Sequence, residues 1–211
     1  MLSIFSIVDS MIKKEITYFE EGGEEHSEAT LDLSIQRAKE LGIKKIVVAS
    51  NRGVTGVMAA EKLQGTDIQL IVVGHQTGFP KSGINQFLPE NQEKIESLGG
   101  IVNLGSDVMT NSIRQRGSIG ASPISIITQT LIAMKIKVNV EIILKACDMG
   151  QLTPGEHVIS VAGSHKGADT SGVFIANESA NILRVKPLEY IAMPYTREKS
   201  DKVYMDKRKA S

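Results

Sequence analysis

Two polar loops and one histidine carry the residue types on which ligand chemistry could be built. Ser50, Asn51, Arg52, Gly53, Val54, Thr55 and Gly56 follow the apolar run Ile46–Ala49 and lead into Val57–Leu63. That order reads as a buried strand, a small-residue loop and a helix start. Such a junction aims several backbone N–H groups and a helix N-terminus at one spot, where an anion binds. Ser50 and Thr55 add hydroxyls, and Arg52 adds a bidentate fork. Each charge–dipole contact contributes about 0.3–1 kcal/mol when exposed, so useful affinity needs several together. The loop lacks the Gly-Lys-Ser/Thr ending of an NTPase P-loop and the three-glycine dinucleotide fingerprint. It points to a phosphorylated small molecule, against the plainer alternative of an ordinary βα connection.

The second loop is Gly163, Ser164, His165, Lys166, Gly167, Ala168, Asp169 and Thr170, between two apolar runs. It carries donors, a charge of each sign and two glycines, more polar groups than a simple hairpin needs. The plainer alternative is a solvent-facing hairpin loop. His75 closely follows the apolar run Gln69–Val73, and strand C-terminal ends line the ligand crevice of open α/β sheets. It is a candidate for ligand contact and, more weakly, for acid–base work. The four histidines are scattered without a zinc-site spacing, and Cys147 reads as a core residue. Lys137, Glu141, Lys145 and Asp148 recur at helical steps. Of these, Lys137, Glu141 and Asp148 fall within about 40° of one another on a helix. The simplest reading is a solvated stripe with Lys137–Glu141 pairing. Arg114 and Arg116 are either anion ligands or exposed side chains.

The elements that must position these residues alternate. Glu15–Phe19 is strand-like, and Ser27 N-caps a helix through Leu41 that Gly42 stops. Ile46–Ala49 is a strand, Thr55–Leu63 a helix, and Gln69–Val73 a strand. Pro89 opens a helix that Gly99 and Gly100 close, and Ile101–Leu104 is a strand. Residues 106–122 fit no pattern. Apolar helices follow from Pro123 to about Met134 and from Val138 to Met149. His157–Ala162 and Gly172–Ala176 are strands, and residues 181–193 fit strand or helix. This alternation predicts a mostly parallel sheet with helices on both faces. Only about nine residues separate Ala162 from Gly172, fewer than a parallel crossover requires, so those two strands are expected to run antiparallel.

Composition bounds the rest. The 211 residues are 41% apolar, with 24 Lys plus Arg against 24 Asp plus Glu. A core is affordable at that size, and the balanced charge argues against a general nucleic-acid binder. One cysteine excludes an internal disulfide and fits a reducing, cytoplasmic setting. No apolar run approaches the ~20 residues needed to span a bilayer, so no membrane partner is expected. Residues 1–14 read as an appended segment, since Met11 is an equally good start, residues 15–195 as one α/β domain, and residues 196–211 as a charged, flexible tail.

Several stretches together resemble one family. Tyr18-Phe19-Glu20, Val47-Val48-Ala49-Ser50, His75 with Gly78-Phe79, Lys137-Val138 with Val140-Glu141, Asp148-Met149-Gly150 and Gly167-Ala168-Asp169-Thr170 are similar to the stand-alone proteins like the pyruvate kinase C-terminal domain. The resemblance spans roughly Glu15 to Pro194. It implies a three-layer α/β/α sandwich with one antiparallel strand. In pyruvate kinase the equivalent strand–loop–helix holds the phosphate of a sugar bisphosphate effector, a role that would fall here on Ser50, Asn51, Arg52, Gly53 and Thr55. The family also makes flavin mononucleotide (FMN) a candidate ligand through its phosphate. Arg52, Val54, Ser164, His165 and Lys166 depart from the family's pattern. Kinase activity is not implied, because the catalytic barrel of pyruvate kinase has no counterpart in these residues.

Three functions are expected to compete. The first is a binding protein, or an enzyme of unknown reaction, that holds a phosphorylated ligand on Ser50–Gly56, with His75 and Gly163–Thr170 completing the pocket. The second is a small-molecule enzyme using His75 or His165 as acid or base, with Asp169 orienting. The third is a regulatory or homo-oligomeric module whose pocket is vestigial.

Overall fold

A computed structural model of the chain describes residues 11–79, 81–109, 127–128, 130–132, 134–163 and 166–195. Seven strands form one sheet: β1 (Thr17–Phe19), β2 (Lys45–Ala49), β3 (Gln69–Val73), β4 (Ile101–Asn103), β5 (His157–Ala162), β6 (Thr170–Ile175) and β7 (Lys186–Pro194). Their spatial order is β1-β7-β6-β5-β2-β3-β4. All run parallel except β6, which is antiparallel to both β5 and β7. The short Ala162-to-Thr170 connection therefore does what its length requires. β6 starts two residues earlier than the sequence pattern suggests and pairs Thr170 with Ala162.

Among the described residues the helices on the sheet are α1 (Ser27–Leu41), α2 (Val54–Lys62), α3 (Pro89–Ser97) and α4 (Lys137–Asp148), with helical positions also at 127–128 and 130–132. The alternation of strand side chains divides the core in two. Ile46, Val48, Leu70, Val72, Ile159 and Val161 meet Leu31, Ile35 and Ala38 of α1, Ala59 and Ala60 of α2, and Ile95 of α3. Val47, Ile71, Val73 and Val158 meet Val140, Ile143, Leu144 and Cys147 of α4 on the opposite face. Strands buried on both faces read as continuous Ile/Val runs, which is why β2 and β3 are plain in the sequence. The expected helix over residues 123–134 is helical at 127–128 and 130–132, and its other positions lie outside the described residues. Residues 181–193 divide between a 3-10 segment (Ser179–Arg184) and β7.

Ser27 differs from its expected role. A 3-10 turn, Glu24–His26, precedes α1, and His26 occupies the N-cap position. Ser27 Oγ donates to Glu24 O (2.7 Å) and accepts from Ala168 N–H (2.9 Å). The hydroxyl thus pins the start of α1 to the β5–β6 loop. Across the sheet, Arg37 of α1 forms a fork with Glu189 of β7 at 2.7 and 2.9 Å.

Cys147 is a buried core residue on α4. Burial pushes its thiol up to about 12 from the ordinary 9.0. Iodoacetamide at about pH 8 is expected to alkylate it only after unfolding. Its sign for stability follows: between 9.0 and about 12 the unfolded thiol gives up its proton and the folded one keeps it, so this group lowers stability as pH rises through that window. Mass-spectrometric alkylation with and without urea checks the first point, and rapid labelling of folded protein would contradict it.

Candidate functional site

The strand order reverses at one place. From β2 the chain moves outward to β3 and β4, then returns to lay β5 against the other side of β2. In open α/β sheets the crevice beyond the strand C-termini at such a switch point is where ligands bind. Residues 50–56 leave the C-terminal end of β2, and Gly163 leaves that of β5, so the two loops start from neighbouring strand ends at this switch point. His75 follows the next strand over.

The first loop is tightly seated. Ser50 N–H donates to Val73 O (3.0 Å), and Gly56 N–H donates to Ser50 Oγ (3.3 Å). Gly53 sits at the N-cap of α2 with φ 91 and supplies no side-chain cap. Its left-handed backbone suits glycine, and an added Cβ there would stand 2.5 Å from Asn91 Cβ and 2.9 Å from Phe87 Cε1. Asn91 Nδ2 donates to Arg52 O (2.8 Å), which ties the loop to the start of α3. Ser50, Gly53, Thr55 and Gly56 are buried, whereas Asn51, Arg52 and Val54 are exposed. Arg52 is therefore exposed one residue before the N-cap of α2.

In the second loop Asp169 N–H donates to Ala162 O (3.0 Å), and Thr170 Oγ1 donates to Asp169 Oδ1 (2.9 Å). Ala168, Asp169 and Thr170 are buried, Gly163 and Gly167 are half-buried, and Lys166 is exposed. Ser164 and His165 lie outside the described residues, as do Arg114 and Arg116.

His75 belongs to a network the sequence did not announce. Its Nδ1 lies 3.0 Å from Asp107 Oδ2, in the loop after β4. Lys145 Nζ of α4 donates to Asp107 Oδ1 (2.7 Å) and to Gly74 O (2.7 Å). The Asp107 and Lys145 side chains are 3% and 2% exposed, and that of His75 is 28%. Asp107 N–H donates to Gln76 Oε1 (2.9 Å). One helical turn earlier, Glu141 pairs with Lys137 and accepts Met109 N–H (3.1 Å). The expected solvated stripe is thereby corrected: Lys137–Glu141 does pair, but Glu141 and Lys145 are buried, and only Asp148 is exposed. The helix's own sequence reads as amphipathic, since its four charges share one sector; the loop after β4 covers that sector, through Asp107 on Lys145 and Met109 N–H on Glu141. Charges covered in this way must find partners inside.

Two open hollows lie away from these loops. One, about 480 Å³, is lined by Tyr18, Glu20, Glu21 and Tyr195 beside β1 and β7. The other, about 350 Å³, is lined by residues around Gln64–Ile68 and Leu98–Gly100, before β3 and β4. Neither gathers cationic or helix-start groups. No helix among the described residues is long and apolar enough to cross a membrane.

Comparison with known proteins adds a family. The model of the pyruvate kinase alpha/beta domain matches residues 28–185. Among solved structures, Cryptosporidium parvum pyruvate kinase in complex with ADP is 13% identical with a TM-score of 0.37, over 88% of this chain and 26% of that one. A second pyruvate kinase structure from the same organism is 13% identical with a TM-score of 0.35, over 88% of this chain and 25% of that one. The chain thus spans about a quarter of the length of those enzymes.

Proposed function

The chain belongs to the pyruvate kinase alpha/beta domain family, and from that premise we propose that it holds a phosphorylated small molecule, with FMN the leading candidate, at the β2–β5 switch point. The phosphate sits against Ser50–Gly56 at the start of α2, Arg52 closes over it, and His75, Gly163 and residues 166–170 complete the pocket. The observation that supports this reading is that the two loops leave neighbouring strand ends beside a helix start whose N-cap is a glycine and whose third N–H alone is taken by a side chain, Ser50 Oγ. The other first-turn N–H groups and the partial positive charge of a helix N-terminus are left for an anion. A reducing cytoplasm suits a chain whose one cysteine is buried, and self-association belongs to the same proposal.

FMN and riboflavin differ by the phosphate alone, so titrating both by flavin fluorescence tests it. FMN is expected to bind at least about tenfold more tightly, since the contacts to a charged group total more than about 1.4 kcal/mol. Arg52→Ala is expected to remove about 1.5–3 kcal/mol of the FMN affinity and to leave riboflavin unchanged. Equal affinity for the two flavins, or none for either by folded protein, would overturn the reading.

A further inference from the structure

Holding a phosphate does not require the buried charges beside the crevice. We propose that Asp107, anchored by Lys145, is a positioning residue that fixes His75 with its Nε2 lone pair turned to the ligand, so that His75 serves as the site's proton acceptor. The ligand is the one proposed above, and the inference rests on that reading.

His75 is held at Nδ1, at its carbonyl and on its ring face, and Nε2 is not. Lys145 Nζ donates both to Gly74 O, just before His75, and to Asp107, the ring's partner. Asn85 Nδ2 donates to His75 O (3.2 Å), and the Phe79 ring packs on the imidazole at 4.6 Å between centroids. Nδ1 faces a carboxylate oxygen, which only accepts, so the neutral ring carries its proton on Nδ1. Nε2 makes no hydrogen bond among the described residues, on a side chain 28% exposed. A buried ion pair is a weak source of stability compared with apolar packing of the same volume. This pair, however, sets the orientation and tautomer of the half-exposed ring at the strand C-terminal edge. The arrangement is that of a base oriented by a third group.

The step balances simply. An O–H or N–H of the ligand gives its proton to Nε2, the ligand keeps the bonding pair as an anion, and the imidazolium is stabilised through Nδ1–H against Asp107. Return of the proton reverses it. The ligand class is therefore a phosphorylated molecule with an ionisable O–H or N–H within reach of His75.

Long-range 1H–15N spectra of the full chain, with ring-labelled histidine, test this at about pH 8.5, above the ordinary imidazole range. His75→Gln assigns the signals. The wild-type ring is expected to be protonated on Nδ1, and Asp107→Asn to shift proton occupancy towards Nε2. Added FMN is expected to shift the Nε2 resonance of wild type. A wild-type ring protonated on Nε2 overturns the proposal even where the Asp107 variant fails to fold. FMN that binds without moving Nε2 also overturns it and leaves the phosphate reading standing. Failure of FMN to bind is the separate failure of that reading, and the wild-type tautomer then decides the positioning claim alone.

Discussion

Lys145→Met is expected to destabilise the fold by about 3–5 kcal/mol, the cost of removing the cation of a buried ion pair. The methionine fills much of the lysine's volume, so lost packing is the smaller part. The larger part is the Asp107 carboxylate, 3% exposed, which loses the ammonium 2.7 Å away. Gly74 O loses its donor as well. Urea unfolding near neutral pH reads the change as a shift in midpoint at constant slope. Adding Asp107→Leu to Lys145→Met is expected to recover a large part of the loss, because an apolar pair of similar volume replaces a charge pair at little cost. A loss below about 1 kcal/mol in the single variant would mean that water reaches the pair and that it behaves as a surface ion pair.

Gly163→Ala is expected to cost about 1–3 kcal/mol, the range for forcing an extra carbon into packed structure, and to abolish FMN binding. The cause is close approach: a Cβ at Gly163 overlaps the carbonyl oxygen of Gly167, a backbone atom that cannot rotate away. Gly167 in turn packs against Glu24 and Ser27 at the start of α1, so the overlap is transmitted to the turn that Ser27 pins. Gly42→Ala is the matched control. Gly42 has φ 66 and open space around its Cβ position, so it bears only the left-handed penalty, about 1–2 kcal/mol, and binding is expected to survive. Thermal unfolding and flavin titration of both variants check this, and loss of binding in Gly42→Ala would show that the assay follows stability alone.

The sheet was legible because its strands are buried on both faces. Ile46–Ala49 and Gln69–Val73 have no other comfortable place, and the short link before Gly172 admits only an antiparallel pair. The two loops were legible for the same reason, since small and polar residues stood out directly after those runs. The 3-10 segment and β7 were not, because Lys186–Pro194 exposes most of its first half and shows no clean two-residue period. The His75–Asp107–Lys145 network was invisible for a different reason. Its members are 32 and 38 residues apart in sequence, and charges at four-residue spacing on a helix suggest a solvated stripe, whereas here the distant loop after β4 covers them. Ser27 illustrates the same limit on a smaller scale: a hydroxyl at a helix start reads as a local cap, whereas its acceptor is filled by Ala168, 141 residues away.

The central claim is that the β2–β5 crevice holds a phosphate. A crystal structure of the protein soaked with FMN tests it most directly. The expected result places the phosphate within hydrogen-bond distance of the backbone N–H groups at Gly53–Thr55, with the Arg52 guanidinium over it. FMN seated instead in the hollow lined by Tyr18, Glu20, Glu21 and Tyr195, with the crevice unchanged, would contradict it.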